Sequence, residues 1–196
     1  MIFRGDVMMF RSLIAAAVSI CALAFMIDGS VVGGKEKDKD KKEPTVKEIM
    51  QKDVATCTPN DDVATAVKIM HDHKCGFVPI VDSHGLVIGV VTDRDLCIAA
   101  ATEKHRTAEH IAVKDAMSHP VFSCFPEENL KVVLATMAIH HVRRLPVLDK
   151  HGHLQGVLSI DDIVQVPRER GTPTAEEIVD AFKGICARRP IETVVG

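Results

Sequence analysis

Between Pro44 and Ile163 the spacing of apolar and polar positions changes several times, and each change marks an element. Val63, Val67 and Met70 recur at helical spacing behind the polar triplet Asn60, Asp61 and Asp62, so a helix begins there with Asn60 or Asp61 as its cap. FVPIV at 77–81 and LVIGVV at 86–91 are short apolar runs separated by Asp82-Ser83-His84-Gly85, a pattern that predicts an antiparallel hairpin. VATCT at 54–58 predicts a strand ahead of the helix, and a short helix ends near Met50 before it. After the hairpin the chain enters another helix at Thr92. The order is β-α-β-β-α, in which the helical crossover lays the first strand beside the hairpin.

The same order occurs twice. Residues 46–96 align with 113–163 without a gap at an offset of 67, and about 15 of roughly 51 positions are identical. The matches include Pro59 with Pro126, Pro79 with Pro146, Asp82 with Asp149, Gly85 with Gly152, Gly89 with Gly156 and Asp95 with Asp162, residue types that set turns and boundaries. One unit is too small to cover both faces of its sheet. Two of them packed about a pseudo-two-fold axis share a core, which gives an α/β (α+β) fold. Residues 44–102 form the first repeat, 103–112 a connector and 113–166 the second repeat. The tail at 167–196 holds one helix, with Thr174 as its cap and Ile178, Phe182 and Ile185 on one side.

Ahead of the repeats, Arg4 and Arg11 precede an apolar run from Leu13 to Ile27, the arrangement of a signal peptide, with small residues at Ala22 to Ala24 for cleavage. Lys35, Lys37, Lys39, Lys41 and Lys42 follow it and favour an uncleaved membrane anchor with its C-terminal side in the cytoplasm. A misplaced start is a third reading. Residues 1–27 are thus a signal peptide or anchor and 28–43 a charged tether. The module is exported or membrane-anchored, or else lies at the cytoplasmic face or in the cytoplasm, and it meets a membrane only through this segment.

Composition narrows the function. The chain of 196 residues is 46% hydrophobic, carries a net charge of −3 and has neither Trp nor Tyr, which argues against a nucleic-acid partner. Six cysteines without a CxxC pair read as small buried apolar groups. There is no GxSxG elbow, Walker-type loop or HExxH, so the chain does not read as an enzyme.

GVVTDRD at 89–95 and GVLSIDD at 156–162 carry the most specific chemistry. A hydroxyl followed three residues later by Asp forms a capping box. The same helix start offers free N–H groups to a phosphate, and the Asp can accept from ribose hydroxyls. The strand, helix, proline-bearing strand, D-x-x-G turn and G-h-h-[ST]-x-x-D motif, repeated twice from Val46 to Ile163, resemble the cystathionine-beta-synthase (CBS) domain pair, or Bateman module. With AEEIVDAFKGIC at 175–186, the chain is similar to small stand-alone bacterial CBS-pair proteins of the hypoxic-response type.

The resemblance implies a non-enzymatic regulatory module, commonly a homodimer, that needs no cofactor and binds AMP, ADP or ATP in the cleft between repeats, signalling to an unknown protein partner through conformational or dimer change. It implies Thr92 and Ser159 near phosphate and Asp95 and Asp162 on ribose. It also implies adenine between the segments holding Thr56, Thr58, Gly76, Phe77 and Pro79 in one copy, and Ser123, Arg143, Arg144 and Pro146 in the other. Arg94, with Ile160 taken as its counterpart, and Arg143 with Arg144 each offer a guanidinium to phosphate, or are solvated helix-end residues. His71 and Cys75 in HDHKC share a helix face as a metal pair would, although His71, His73, His140 and His141 read more simply as cations at helix C-termini. The alternative to the nucleotide module is a ligand-free interaction or metal-sensing stress protein of the cell envelope.

Overall fold

The computed structural model describes residues 43–103, 105–168 and 171–187. The leader and most of the charged tether lie outside them. No helix among the described residues is long and apolar enough to cross a membrane. The first repeat contains α1 (Val46–Ile49), α2 (Val63–Asp72), β1 (Phe77–Val81), β2 (Val87–Thr92) and α3 (Asp93–Thr102). After a single 3₁₀ turn at Ala108–His110 the second repeat contains α4 (Val113–Ala116), α5 (Leu130–His140), β3 (Arg144–Leu148), β4 (Leu154–Ser159) and α6 (Ile160–Gln165), and α7 (Ala175–Cys186) closes the described chain.

Both hairpins are antiparallel and end in the expected turns. Gly85 and Gly152 have φ of 79° and 93°, which explains a glycine at each turn. Asp82 accepts from the N–H groups of His84 and Leu86, and Asp149 from those of His151 and His153. These bonds, led by the one from Leu86 or His153, hold both carboxyls below the usual range. Their contribution to stability is present above the unfolded-state pKa and is lost as pH falls through the folded one.

The strand expected at VATCT is reduced to one parallel bridge, Cys57 beside Ile80, and its copy is Cys124 beside Val147. Cys57 N–H donates to the Pro79 carbonyl and Val81 N–H to the Cys57 carbonyl. One further step would require an N–H from Pro79 toward Ala55 or from Pro59 toward Val81, and proline has none. Pro126 and Pro146 stop the second copy in the same way.

The helix caps also shift. Asp62 and Asn129 are the N-caps of α2 and α5, accepting from Thr65 and Lys131 N–H respectively, whereas Asp61 accepts from Thr58 N–H at 2.6 Å. On α2 the buried positions are Val63, Ala66 and Met70, while Val67 is 48% exposed.

Each sequence repeat lends its first helix to the other's core. Val113 of α4 is buried with Cys57, Val63, Val78, Ile80 and Leu96, and Val46 of α1 is buried with Cys124, Leu130, Leu145, Leu158 and Ile163. The backbone bonds are reciprocal. Val46 and Lys47 N–H donate to the carbonyls of Glu128 and Pro126 at 3.1 and 2.8 Å, and Val113 and Lys114 N–H to those of Asp61 and Pro59 at 2.8 and 3.1 Å. Gln51 pairs with Val157, and Ser118 with Val90. Every such pair becomes the other when 67 is added to one partner and subtracted from the other, as a pseudo-two-fold axis demands. Leu86 and His153, which bridge the two hairpins, are each other's counterparts and therefore lie at the axis.

The duplication runs further than its assumed bounds. Thr107-Ala108-Glu109-His110-Ile111, inside the supposed connector, matches Thr174-Ala175-Glu176-Glu177-Ile178 at the same offset. The 3₁₀ turn packs on α2 as α7 packs on α5. In the first copy the chain leaves after one turn to enter α4, and in the second it continues as a helix. There Thr174 and Glu177 make a capping box, and Ala181 and Ile185 are buried against α5 with Ile178 and Phe182 packed alongside.

The exchange explains Gly89 and Gly156. A Cβ on Gly89 would lie 2.4 Å from Met117 Sδ, and one on Gly156 would lie 2.5 Å from the Gln51 carbonyl oxygen, with Met50 Sδ at 3.0 Å. A methionine side chain yields more readily than a paired backbone carbonyl. Gly156→Ala is expected to cost about 2–3 kcal/mol and Gly89→Ala about 1 kcal/mol, read as shifts in the urea midpoint.

Candidate functional site

The residues of interest collect on one face of each hairpin. In β1, Val78 and Ile80 enter the first core, so strand alternation turns Phe77 and Pro79 to the opposite side, here called the far face. The register sets Thr92 opposite Phe77 and Val90 opposite Pro79. Because the bonds on either side of Cys57 hold its thiol in the core beside Ile80, the flanking Thr56 and Thr58 turn to the far face as well. In the second half the same logic groups Ser123, Arg144, Pro146 and Ser159, with Arg144 opposite Ser159. Arg143 precedes β3 and is exposed, and Gly76 stands at the same place before β1.

At the end of each far face a helix begins with a closed capping box. Thr92 Oγ1 donates to Asp95 Oδ2 at 2.7 Å, Thr92 N–H donates to the same oxygen at 3.0 Å, and Asp95 N–H returns to Thr92 Oγ1 at 3.3 Å. For Ser159 and Asp162 the three distances are 2.6, 2.8 and 3.1 Å. The cap uses only Oδ2 of each aspartate. Oδ1 of Asp95 and of Asp162 accepts no hydrogen bond among the described residues, and both carboxylates are only half-buried.

The pairing of Arg94 needs correction. The offset sets Arg94 against Asp161 and Asp93 against Ile160. The backbone agrees, since Asp93 N–H donates to the Gly76 carbonyl and Ile160 N–H to that of Arg143. Gly76 and Asp93 in one half thus correspond to Arg143 and Ile160 in the other.

An open depression of about 630 Å³ adjoins the first far face, with His71, Asp72, Lys74, Cys75, Gly76 and Asp93 along its wall. His71 and Cys75 share it, but no three metal-ligating side chains cluster among the described residues. Of the C-terminal histidines, His140 differs from the expected dipole-complementing cation. His140 stacks on Phe122 with ring centroids 3.8 Å apart, and burial, then the neighbouring His141, pushes its pKa down, favouring the neutral ring. His141 adopts left-handed φ of 54° at the α5 terminus, with Nδ1 hydrogen-bonded to the Gly184 carbonyl of α7. The cysteines divide too. Cys57 and Cys124 are buried at equivalent positions, whereas Cys75, Cys97 and Cys186 are exposed.

With this geometry in place, comparison with known proteins is unambiguous about family. The CBS domain profile matches residues 46–101 and 113–169, and the chain belongs to the CBS domain family, as a tandem pair. An uncharacterized protein of Methanopyrus kandleri is 33% identical over 122 residues, which are 62% of this chain and 62% of that protein. The CBS domain-containing protein YhcV of Bacillus subtilis is 34% identical over 119 residues, 61% of this chain and 82% of YhcV. The chain thus spans under two thirds of the Methanopyrus protein.

Among solved structures, the CBS domain pair of protein MJ0100, in complex with 5′-methylthioadenosine and S-adenosyl-L-methionine, superposes with a TM-score of 0.58 at 27% identity, covering 63% of this chain and 95% of that one. CBSX2 in complex with AMP gives 0.55 at 26% identity, covering 62% and 93%. Hypoxic Response Protein I, whose structure holds two coordinated zinc ions, shares the fold with a TM-score of 0.58 at 23% identity over 63% of this chain and all of that one, 100%.

Burial, more than nearby carboxylates, raises the Cys57 thiol to about 11 and the Cys124 thiol to about 12, so both stay protonated at neutral pH. Iodoacetamide at pH 8 followed by peptide mass mapping is expected to modify Cys75, Cys97 and Cys186 in the native protein and to reach Cys57 and Cys124 only after denaturation.

Proposed function

We propose that this chain is a non-enzymatic regulatory module that binds adenine nucleotide, in which the far face of each half receives the adenosine part of a ligand. The observation that carries the reading is the half-used carboxylate. Asp95 and Asp162 each commit one oxygen to starting a helix and keep the other for a vicinal diol, which needs an acceptor at its side. Pro79 and Pro146, with Phe77 in the first half, are apolar positions of that face, and all three are buried, Phe77 at 8% exposure. The adenosyl ligands named for the MJ0100 pair and for CBSX2 support this choice, and no cofactor is part of it.

Occupancy is read out through the fold. A ligand held by the Thr92 or Ser159 cap bears on the strand ends that the partner half's exchanged segment touches at Ser118 or Gln51, so binding energy acts on the packing between halves. A homodimer belongs to this reading, with Val67 and Ile98, 48% and 50% exposed, as apolar surface on α2 and α3 available to a second copy.

The full chain with AMP at about 100 times Kd is expected to gain about 2.7 kcal/mol of stability, seen as a rise in Tm. Asp162→Ala is expected to abolish most of that rise while costing only about 0.5–2 kcal/mol as a lost cap. A chain whose melting is indifferent to AMP, ADP and ATP would refute the reading. In calorimetric titrations Arg144→Ala is expected to weaken AMP binding about tenfold or more, and Arg143→Ala much less, because only Arg144 stands beside Ser159. Equal, negligible losses would remove Arg144 from the site.

A further inference from the structure

We propose that the two far faces take different ligands: the Arg144–Ser159 face holds a phosphate-bearing adenine nucleotide, and the Phe77–Thr92 face holds an adenosyl compound without phosphate, with Asp93 as the residue that excludes the anion. This deepens the adenosine-site reading above and rests on it.

Three differences between equivalent positions lead here. Beside the hydroxyl on the far face the register sets a guanidinium in one half, Arg144 opposite Ser159, and an uncharged ring in the other, Phe77 opposite Thr92. Directly opposed residues of an antiparallel pair have Cβ atoms about 4.5–5.5 Å apart, so an oxyanion at Ser159 lies within easy reach of Arg144. The second difference is the carboxylate of Asp93, which lies against the Gly76 backbone so closely that a Cβ there would be 2.9 Å from Oδ2. In the other half this place has Arg143 and, for the carboxylate, the buried Ile160, 1% exposed.

The third difference is in the backbone. Asp93 Oδ1 accepts from Arg94 N–H at 2.8 Å, closing a donor that an anion would use. Its counterpart, the Asp161 N–H, has no acceptor among the described residues, because Ile160 offers none. Arg94 does not reverse this balance. It follows Asp93 by one residue, about 100° further round the helix, and is exposed. The depression beside Gly76 adds Asp72 and Lys74, whose charges offset each other. Asp95, bonded to Thr92, has its equal in Asp162, and the exposed Arg94 is matched by an equally exposed Asp161, so at the helix start Asp93 is the carboxylate that stands against an uncharged residue in the other half.

A 5′ substituent that is neutral or cationic meets no penalty from Asp93, whereas a phosphate must approach a like charge. Two probes, AMP and S-adenosyl-L-methionine, separate the faces in calorimetric titration of the full chain. The wild type is expected to bind AMP at one site per chain, lost in Asp162→Ala and kept in Asp95→Ala. S-adenosyl-L-methionine is expected to show the opposite dependence. Asp93→Asn, which keeps an acceptor for Arg94 N–H but removes the charge, is expected to raise AMP affinity at the first face about tenfold and expose a second binding event. Asp93→Ile, the residue of the other copy, is expected to do so more strongly, with Asp93→Asn deciding the matter if the isoleucine variant does not fold. Two AMP per wild-type chain of equal affinity, or a stoichiometry that Asp93→Asn leaves unchanged, overturns the division of ligands while leaving the adenosine sites standing. Failure of both probes to bind overturns the adenosine reading and this proposal together.

Discussion

The reciprocal loan of α1 and α4 is the constraint on which the rest of this structure depends. A half built from a two-stranded hairpin, one bridge and two helices leaves core surface uncovered, and in both halves the cover is the first helix of the other copy, through Val46 or Val113. Neither core is therefore complete within one sequence repeat, and burial couples the two halves as well as stabilising each. The glycines at 89 and 156 follow from this loan, since they are where the exchanged Met117, Met50 and Gln51 press against a strand.

That dependence also sets the position of the proposed binding surface. Once the core face of each hairpin is filled from both repeats, the polar and aromatic positions of the alternation are left on the far face, and the hydroxyl that ends β2 or β4 starts the following helix. Thr92 and Ser159 thus sit where a strand end, a helix start and the partner repeat's edge meet. The cap is thus an element that neither half positions alone.

Much of this was legible in the residues. The offset of 67 revealed two like units, the D-x-x-G turns set the hairpins, and the T-x-x-D and S-x-x-D pairs marked both helix starts. What escaped depended on backbone chemistry or on which copy contributes what. VATCT has the look of a strand, yet Pro59 and Pro79 between them remove the N–H groups that would extend its ladder, a fact visible only when the partner register is known. The helix loan is invisible to any alignment of one repeat with the other, because both copies have the same helix whichever core it covers. The short likeness of TAEHI to TAEEI marks no shared element by itself, since one copy forms a single 3₁₀ turn and the other begins a twelve-residue helix. His140 looked like a capping cation and proved to be a ring stacked on Phe122, an arrangement set by residues eighteen positions apart.

Duplication explains why two such similar surfaces can part company in chemistry. The folding requirements of each repeat are met by its prolines, turn glycines, core strand positions and capping aspartates, which recur in both copies. The positions just before the first hairpin strand and just inside the following helix pack on each other in the first copy and not into its core, and Gly76 and Asp93 are half-buried and exposed. In the second, Ile160 has joined the core, Arg143 and Arg144 stand in place of Gly76 and Phe77, and Asp161 stands in place of Arg94. Charge at these places changes without disturbing the axis, the exchanged helices or the caps. A symmetric scaffold therefore carries an asymmetric pair of surfaces, and the asymmetry lies where the fold is least demanding.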